Sequence, residues 1–500
     1  MERDPILEGL RKIVGPQWVS NDPAILVAYS RDIGTIPSYG RPRRPEYVVI
    51  PGSVAEVQQI VILAKEFKVP VYVMTTGVNI MSAHIPKRGG IVVDIGKRMR
   101  RILEIDEENF RATIEPGVTF AMLNAELQKR RMHVAIPGAP STVSALSNII
   151  CYGLDNRGDN KVGWNFRHIV GYEIVMADGN VYRVGTWSNE FETEYSYWPH
   201  GPGPSAQYMC RPLGTMDIVT KGTVKCWPLG TVFKPVIAYF NDIDAVCRAM
   251  EEIAVKEIGH GLLFYAGHKY TSYACDAGFS QYRVNRFHPE FILDASVCGT
   301  KRRVEYEEKV MREMIKKHGG RFISEKFAPW KSFEDSRISV VANMCSWGAI
   351  RYFGMRKPAI HAHVMCTMED MPEVYKILVR TVLEDEWGGD PNNYPRAEFG
   401  FGAIAHPSEG AHICRLEISS EGNTQDPVLL QYIARLDAKL KENLRAQGFY
   451  SLVIFPQPIT INPDLVEVGT AIKKALDPDN IMSPATIFPG TLPFWRYTII

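Results

Sequence analysis

The stretch from Pro70 to Gly117 reads PVYVMTTGVNIMSAHIPKRGGIVVDIGKRMRRILEIDEENFRATIEPG, and it decides the fold. Two β-rich runs, Val71–Met74 and Ile91–Asp94, are predicted strands that bracket a loop of small and polar residues from Thr75 to Gly90. Small side chains let a backbone approach a ligand closely, and free N–H groups in such a turn can bind a phosphate. The stretch therefore predicts an anion-binding loop between two strands, with a polar surface connection as the alternative.

The residues around this stretch extend it into an α/β unit. Tyr47–Pro51 is a predicted strand, and Ser53 followed by Glu56 is typical of a capping box at a helix N-terminus. After a second predicted helix, over residues 118–132, another run of small residues extends from Gly138 to Ser147. Two such loops, close together in a compact domain, can hold an extended ligand between them.

The length, composition and net charge of the chain exclude several classes of protein. Five hundred residues with 45% apolar content predict a soluble globular chain of two or three domains. A net charge of +1 gives no overall field that would attract nucleic acid or an anionic membrane. The N-terminus is charged where a signal peptide is apolar, and no stretch approaches the roughly 20 apolar residues of a membrane span. The chain is therefore predicted to be cytoplasmic, with its nine scattered cysteines reduced.

Five segments occur in an order that resembles a known family. They are GGIVVDIGKRMRRILEID (residues 89–106), IEPGVTF (114–120), GYEIVMADGNVYRVG (171–185), GTMDIVTKGTVKCWP (214–228) and ALDPDNIMSP (475–484). This order is similar to that of the vanillyl-alcohol oxidase / p-cresol methylhydroxylase family of flavoproteins. The resemblance implies an α+β fold in which a two-part FAD-binding domain carries a cap domain with an antiparallel sheet. We expect the FAD-binding domain at residues 1–230, the cap at 231–465 and a C-terminal return to the first domain at 466–500.

The resemblance implies FAD as the cofactor, with its pyrophosphate at the first loop. The residues expected at the cofactor are Thr75, Thr76, Gly77, Val78, Asn79, Ser82, Pro116, Gly117, Pro137, Ser141, Ser144, Asn148, Ile218 and Val219. Members of the family that tether the flavin do so through a histidine or tyrosine of the cap. His412 resembles that histidine in its place before an apolar strand, so covalent attachment through His412 is a further expectation.

Three residues of the predicted cap are candidates for the chemistry. Family members that oxidise alkylphenols hold the phenolate with tyrosines and an arginine, and Tyr450 stands where such a tyrosine is expected. Arg415 is a candidate for stabilising anionic flavin or a carboxylate substrate. His363 alternates with His361 along a predicted strand, so both would face a cavity or a metal, with an exposed strand face as the alternative.

Two further patterns bear on the geometry of this region. On a regular strand Arg415 and Glu417 share one face, and His412 faces the other side. Residues 400–405 match the GxGxxA pattern of dinucleotide-binding turns, but Pro407 follows at once and no βαβ unit surrounds them. This pattern is therefore predicted to be a strand turn, and no cofactor besides flavin is indicated.

Three functions are open at this point. The first is an FAD-dependent dehydrogenase or oxidase that takes a hydride from an alcohol or benzylic carbon of a mainly apolar or aromatic substrate. The second is a 2-hydroxyacid dehydrogenase that passes electrons to a redox partner protein. The third is a flavin-poor structural subunit of a larger complex, because both loops contain fewer glycines than those of the family. An electron-transfer subunit and a homo- or hetero-oligomer are the expected partners, and the electron acceptor stays open.

Overall fold

The computed structural model describes residues 4–30, 44–79, 84–137, 141–152, 158–188, 213–267, 290–322, 357–383, 400–422, 427–449 and 463–486. The strands in these ranges are β1 (Val19–Ser20), β2 (Tyr47–Val49), β3 (Val71–Met74), β4 (Ile91–Asp94), β5 (Ile102–Asp106), β6 (Arg111–Ile114), β7 (Met132–His133), β8 (Ile169–Met176), β9 (Val181–Gly185), β10 (Asp217–Lys225), β11 (Trp227–Pro228), β12 (Val232–Phe240), β13 (Gly261–Gly267), β14 (Phe291–Gly299), β15 (Arg321–Phe322), β16 (Lys357–Cys366), β17 (Gly400–Ser408) and β18 (Ile413–Gly422). The helices are α1 (Pro5–Val14), α2 (Pro23–Leu26), α3 (Val54–Glu66), α4 (Phe120–Gln128), α5 (Ala145–Ser147), α6 (Asp159–Val162), α7 (Ile243–Val255), α8 (Lys301–Lys317), α9 (Met371–Leu383), α10 (Pro427–Ala446) and α11 (Pro463–Leu476).

The first sheet contains the two strands that bracket the first loop. Its order is β1-β2-β4-β3, and β2, β4 and β3 run parallel. The predicted bounds of β3 and β4 are confirmed to the residue. The sheet shares one apolar cluster with α1 and α3, in which Val57, Ile60 and Val61 are fully buried. Burial of each such side chain stabilises the fold by about 1.5–3 kcal/mol.

The helix α3 begins after Ser53 as predicted, but its capping contacts differ from a capping box. Ser53 Oγ accepts a hydrogen bond from the N–H of Glu56 at 3.2 Å. In a capping box the Glu56 carboxylate would accept from the N–H of Ser53 itself. It accepts instead from the N–H of Gly52 at 2.7 Å, and it pairs with Arg98 at 3.0 Å. The carboxylate thus ties the start of α3 to the segment that follows β4.

The second sheet is antiparallel, in the order β5-β6-β10-β8-β9. The predicted hairpin is confirmed as β8 and β9, and its turn contains Gly179 at a φ of +83°. The apolar core of this second sheet includes Phe120 and Leu123 of α4 and Leu146 of α5. The second loop therefore runs over the core of this sheet, while the first loop rises from the first sheet.

The third sheet is the cap sheet, with seven antiparallel strands in the order β15-β12-β14-β13-β17-β18-β16. Apolar residues of α7, α8, α9 and α10 pack in one cluster with alternate residues of the strands, among them Phe264, Leu293 and Leu416. The residues between them in the strands belong to the opposite face. Residues 400–405 lie within β17, which pairs with β18 along its whole length. The predicted strand turn at this pattern is wrong, because that pairing keeps the segment extended.

The C-terminal segment returns to the first sheet. The N–H of Val71 donates to the carbonyl of Ile481 at 2.7 Å, and the N–H of Ser483 donates to the carbonyl of Val71 at 2.7 Å. Lys473 Nζ forms an ion pair with Asp477 and donates to the carbonyl of Met482 at 2.8 Å. The segment therefore packs on the edge strand β3. The domain boundaries stay a prediction.

Several contacts between described residues join the cap to the FAD-binding side of the chain, and three of them are specific. Arg167 Nε lies 3.1 Å from a carboxylate oxygen of Glu409, which follows β17. The N–H of Gly410 donates to the carbonyl of Asn160 in α6 at 3.2 Å. The rings of His133 and His260 meet edge to face, with centroids 5.4 Å apart. Polar groups and imidazole rings, rather than an aliphatic core, make these three contacts.

Candidate functional site

The two predicted loops open onto one cleft of about 790 Å³, including the space open to solvent. Its walls come from the end of β3, the first loop, the second loop with the turn after α5, and the start of β10. The lining residues are Val73, Met74, Thr75, Thr76, Gly77, Val78, Asn79, His84, Pro116, Val143, Ser144, Leu146, Ser147, Asn148, Cys151, Leu213, Gly214, Asp217, Ile218 and Val219. The cleft therefore joins segments from both sheets of the FAD-binding side.

Close backbone contacts hold the first loop in place. A Cβ atom on Gly96 would lie 2.2 Å from the carbonyl oxygen of Thr75, and one on Gly117 would lie 2.2 Å from the carbonyl oxygen of Gly96. Distances this short exclude any side chain at either position. Gly77 has a φ of +73°, in the left-handed region that favours glycine. These glycines let three chain segments meet at the floor of the loop.

Ser144 connects the second loop to the first. Its hydroxyl donates to the carbonyl of Pro116 at 2.6 Å and accepts from the N–H of Ser147 at 3.1 Å. Its own N–H donates to Thr76 Oγ1 at 3.3 Å. One serine thus fixes the spacing of both walls of the cleft.

The structure brings most of the predicted cofactor residues together. Those that line the cleft are Thr75, Thr76, Gly77, Val78, Asn79, Pro116, Ser144, Asn148, Ile218 and Val219. Gly117 supports the floor, the carbonyl of Ser141 accepts from Ala121 at 2.9 Å, and Pro137 is buried next to the cleft-forming loop. Ser82 lies outside the described residues. Contact of these residues with the cofactor stays a prediction.

Sequence reasoning missed three titratable residues of the cleft. Burial, with the charge of Lys87, lowers the pKa of His84 to about 4. Burial, with the neighbouring Asp217, raises the pKa of the Cys151 thiol to about 12. Burial raises the pKa of Asp217 to about 7. Asp217 directly precedes the predicted Ile218, and Cys151 follows Asn148 by about one helical turn, so proximity along the chain was the available signal.

The polar face of the cap sheet, opposite its helices, holds the described catalytic candidates. Arg415 and Glu417 form an ion pair on β18, as expected for residues on one strand face. Strand register places His363 opposite Glu417 and His406 opposite Arg415. Directly opposed residues on neighbouring strands lie on the same face, with Cβ atoms about 4.5–5.5 Å apart. His363 is buried, so the alternative of an exposed strand face is wrong.

Two other residues of the cap were predicted to take part in the site. His412 lies in the turn before β18, so the prediction that it faces the opposite side of that strand is wrong. It is exposed and does not line the cleft. The turn Glu409–His412 sets its position, through a hydrogen bond from its N–H to the carbonyl of Glu409 at 3.3 Å. Covalent attachment through His412 stays a prediction. Tyr450 lies outside the described residues.

The comparisons with known proteins agree with this geometry. A family model described as an FAD binding domain matches residues 45–185. The glycolate oxidase subunit GlcD of Bacillus subtilis is 30% identical over 256 residues, which cover 51% of each chain. The 4-cresol dehydrogenase flavoprotein subunit of Pseudomonas putida is 27% identical over 380 residues, which cover 71% of each chain. The match thus spans about half the length of the first relative and 71% of the second.

The structure of p-cresol methylhydroxylase with substrate bound has the same fold. Its TM-score is 0.82, at 20% identity and with 96% of both chains covered. The FAD binding domain, the relative from Pseudomonas putida and this fold together support the predicted FAD-linked oxidoreductase family of the p-cresol methylhydroxylase type. The predicted family, the α+β fold and FAD as its cofactor are confirmed.

The residues of the cleft fit FAD. The hydroxyls of Thr75 and Thr76 on one wall and of Ser147 on the other are donors suited to phosphate and ribose oxygens. Asn148 is 3% exposed, and its Oδ1 atom has no hydrogen-bond partner among the described residues. Buried polar atoms are normally hydrogen-bonded, so this acceptor suits an N–H group of a bound ligand.

Among the residues described, no helix has both the length and the apolar character that crossing a membrane requires. In the same ranges no three His, Cys, Asp or Glu side chains are grouped as a metal site. The described cysteines, at 151, 226, 247, 298, 366 and 414, are free thiols.

Proposed function

We propose that the protein is an FAD-dependent dehydrogenase or oxidase that removes a hydride from an alcohol or benzylic carbon of a mainly apolar or aromatic substrate. The observation that carries this proposal is the combination of a dinucleotide cleft with a buried, polar face on the cap sheet. FAD, when bound, accepts the hydride. The chain must then bind the substrate, orient it and accept the proton of its hydroxyl group.

The polar face of the cap sheet supplies groups for those tasks. His363 and His406 flank the Arg415–Glu417 pair across the strands, and either imidazole can accept a proton. Tyr265 is opposite Ile404, which is itself opposite Glu417, so an aromatic ring borders the same face. Within the Arg415–Glu417 pair the guanidinium and the carboxylate compensate each other. This balance favours a neutral hydroxyl-bearing substrate.

A 2-hydroxyacid is the second candidate substrate, and Arg415 favours it. Arg415 is 4% exposed, and a buried guanidinium can hold a carboxylate through two parallel hydrogen bonds. The relative from Bacillus subtilis is a glycolate oxidase subunit. A substrate carboxylate would have to share Arg415 with Glu417. Because the Arg415–Glu417 pair is already neutral, we place the alcohol first.

An anaerobic spectrum of the FAD-reconstituted protein tests both substrates. Aryl alcohols or 4-alkylphenols should bleach the flavin band, and 2-hydroxyacids should leave it unchanged. The reverse result would favour the second candidate, and Arg415→Ala should then weaken substrate binding more than Tyr450→Phe does. A protein without flavin bands after reconstitution would overturn both enzymatic functions and leave the structural subunit. Acid precipitation tests the tether, since a yellow supernatant over a colourless pellet contradicts attachment through His412.

The electron acceptor and the partner subunit are part of the same proposal. Oxygen, a cytochrome and an iron–sulfur protein are the acceptors to compare in turnover assays. The Pseudomonas putida relative is the flavoprotein subunit of its enzyme. By analogy we propose that this chain also works with an electron-transfer subunit in the cytoplasm.

A further inference from the structure

One buried carboxyl group, that of Asp217, belongs to the wall of the cleft. Asp217 is the first residue of β10 and is 2% exposed. Its side chain lines the cleft together with Thr75, and its Oδ2 atom has no hydrogen-bond partner within the described part of the chain. An ionised carboxylate without partners is costly to bury, so such a group takes up a proton or a ligand.

No cation in the described neighbourhood neutralises Asp217. On β8 its strand partner is Met176. Lys473 donates to the carbonyl of Thr215 at 2.5 Å, but its charge is paired with Asp477. The other titratable side chains of the cleft are His84 and Cys151. Their pKa values, lowered and raised respectively by burial, keep both neutral near pH 7.

FAD brings two negative charges on its diphosphate into the same cleft. Burial raises the pKa of Asp217 to about 7. Like charges that share a site disfavour ionisation, so FAD, when bound, would raise this pKa further. The protonated carboxyl has an O–H donor that the ionised form lacks. The two forms of Asp217 therefore differ in both charge and hydrogen bonding toward the cofactor.

We propose that Asp217 is a proton-linked cofactor-binding residue: FAD binds the form of the protein in which this carboxyl group is protonated and donates a hydrogen bond to the dinucleotide. When Asp217 is ionised in the free protein, binding takes one proton from solvent onto its carboxylate, and no bond of FAD changes. This inference rests on FAD as the cofactor and is independent of the substrate.

Titration of the apoprotein with FAD from pH 6 to pH 9 tests the proposal. For the wild type the affinity, followed by flavin fluorescence, should be constant below about pH 7 and weaken by up to about tenfold per pH unit above it. Asp217→Asn should bind FAD with the same affinity at every pH. Calorimetry at pH 8 in two buffers of different ionisation enthalpy should show uptake of up to one proton by the wild type and none by the variant. Asp178→Asn is the matched control, because Asp178 is exposed in the turn between β8 and β9 and does not line the cleft, and this variant should keep the wild-type profile.

Several results would overturn the proposal. One is proton uptake by Asp217→Asn equal to that of the wild type, and another is binding by the wild type without uptake. Should Asp217→Asn fail to fold, Asp217→Ser takes its place, and proton uptake by Asp217→Ser equal to that of the wild type would also overturn the proposal. Failure of the wild type to bind FAD even at pH 6 would overturn the cofactor assignment as well. That result is distinguishable, because it appears before any pH dependence is measured.

Discussion

The cofactor cleft and the polar face of the cap sheet are built in different ways. The floor of the cleft depends on backbone contacts, in which Gly96 and Gly117 leave no room for a Cβ atom. The cap face depends on side chains from three strands, with His363, His406 and Arg415 aligned only by strand register. A site of the first kind is sensitive to an added methyl group. A site of the second kind is sensitive to loss of one charge.

The largest effect is expected from Glu417→Gln on the cap face. The change keeps the shape of the side chain but removes the carboxylate charge that pairs with Arg415, whose side chain is 5% exposed. Removal of one partner of a buried ion pair costs about 3–5 kcal/mol. Urea denaturation of the full chain measures the loss. Glu305→Gln is the control, because its pair with Lys301 is exposed and exposed pairs contribute about 0–1 kcal/mol. Equal losses for both variants would contradict a buried pair at Arg415.

The second effect tests the backbone-built region. Gly96→Ala places a Cβ atom 2.2 Å from the carbonyl oxygen of Thr75, so the first loop must move. We expect a loss of about 1–3 kcal/mol in stability together with a loss of FAD affinity. Gly319→Ala is the matched control, since its φ of +83° costs about 1–2 kcal/mol of strain with nothing within 4 Å of the new atom. Gly319→Ala should keep full FAD affinity. Unchanged FAD affinity in Gly96→Ala would show that FAD binding does not depend on the close contact between Gly96 and Thr75.

The same difference explains how much could be predicted from the sequence. The bounds of β3 and β4 were predicted to the residue, because β-rich runs and small-residue loops are local signals. The pairing of His406 with Arg415 was not predicted, because register between separate strands leaves no local pattern. Asp217 was missed for a related reason. Its burial follows from the packing of β8 and β10 against the second loop, and an aspartate at a strand start is typical of an exposed turn.

A third effect concerns the junction of the two regions. Burial lowers the pKa of His133 to about 4, and its Nδ1 atom has no partner in the described ranges. The unfolded chain, with a pKa near 6.5, therefore binds more protons between pH 6.5 and pH 4, so stability falls as the pH falls through that window. His133→Phe should reduce the slope of the free energy of unfolding against pH by about 1.4 kcal/mol per pH unit. The variant should keep the ring contact with His260. Denaturation midpoints at pH 4.5 and pH 7 give the slope. Identical slopes in variant and wild type would mean that His133 has the same pKa in the native and the unfolded protein.

The smallest effect is expected at the ion pair between the two regions. Arg167 and Glu409 are 3.1 Å apart, with side-chain exposures of 51% and 25%. Exposed pairs of this kind contribute about 0.2–1 kcal/mol, so Arg167→Ala should hardly change the denaturation midpoint. Its effect should fall with added salt, because screening weakens exposed pairs far more than buried ones. Glu417→Gln should keep its full cost at high salt. A loss of more than 2 kcal/mol in the free energy of unfolding of Arg167→Ala, independent of salt, would contradict this expectation. It would mean that the Arg167–Glu409 pair is a main contact between the cap and the FAD-binding domain.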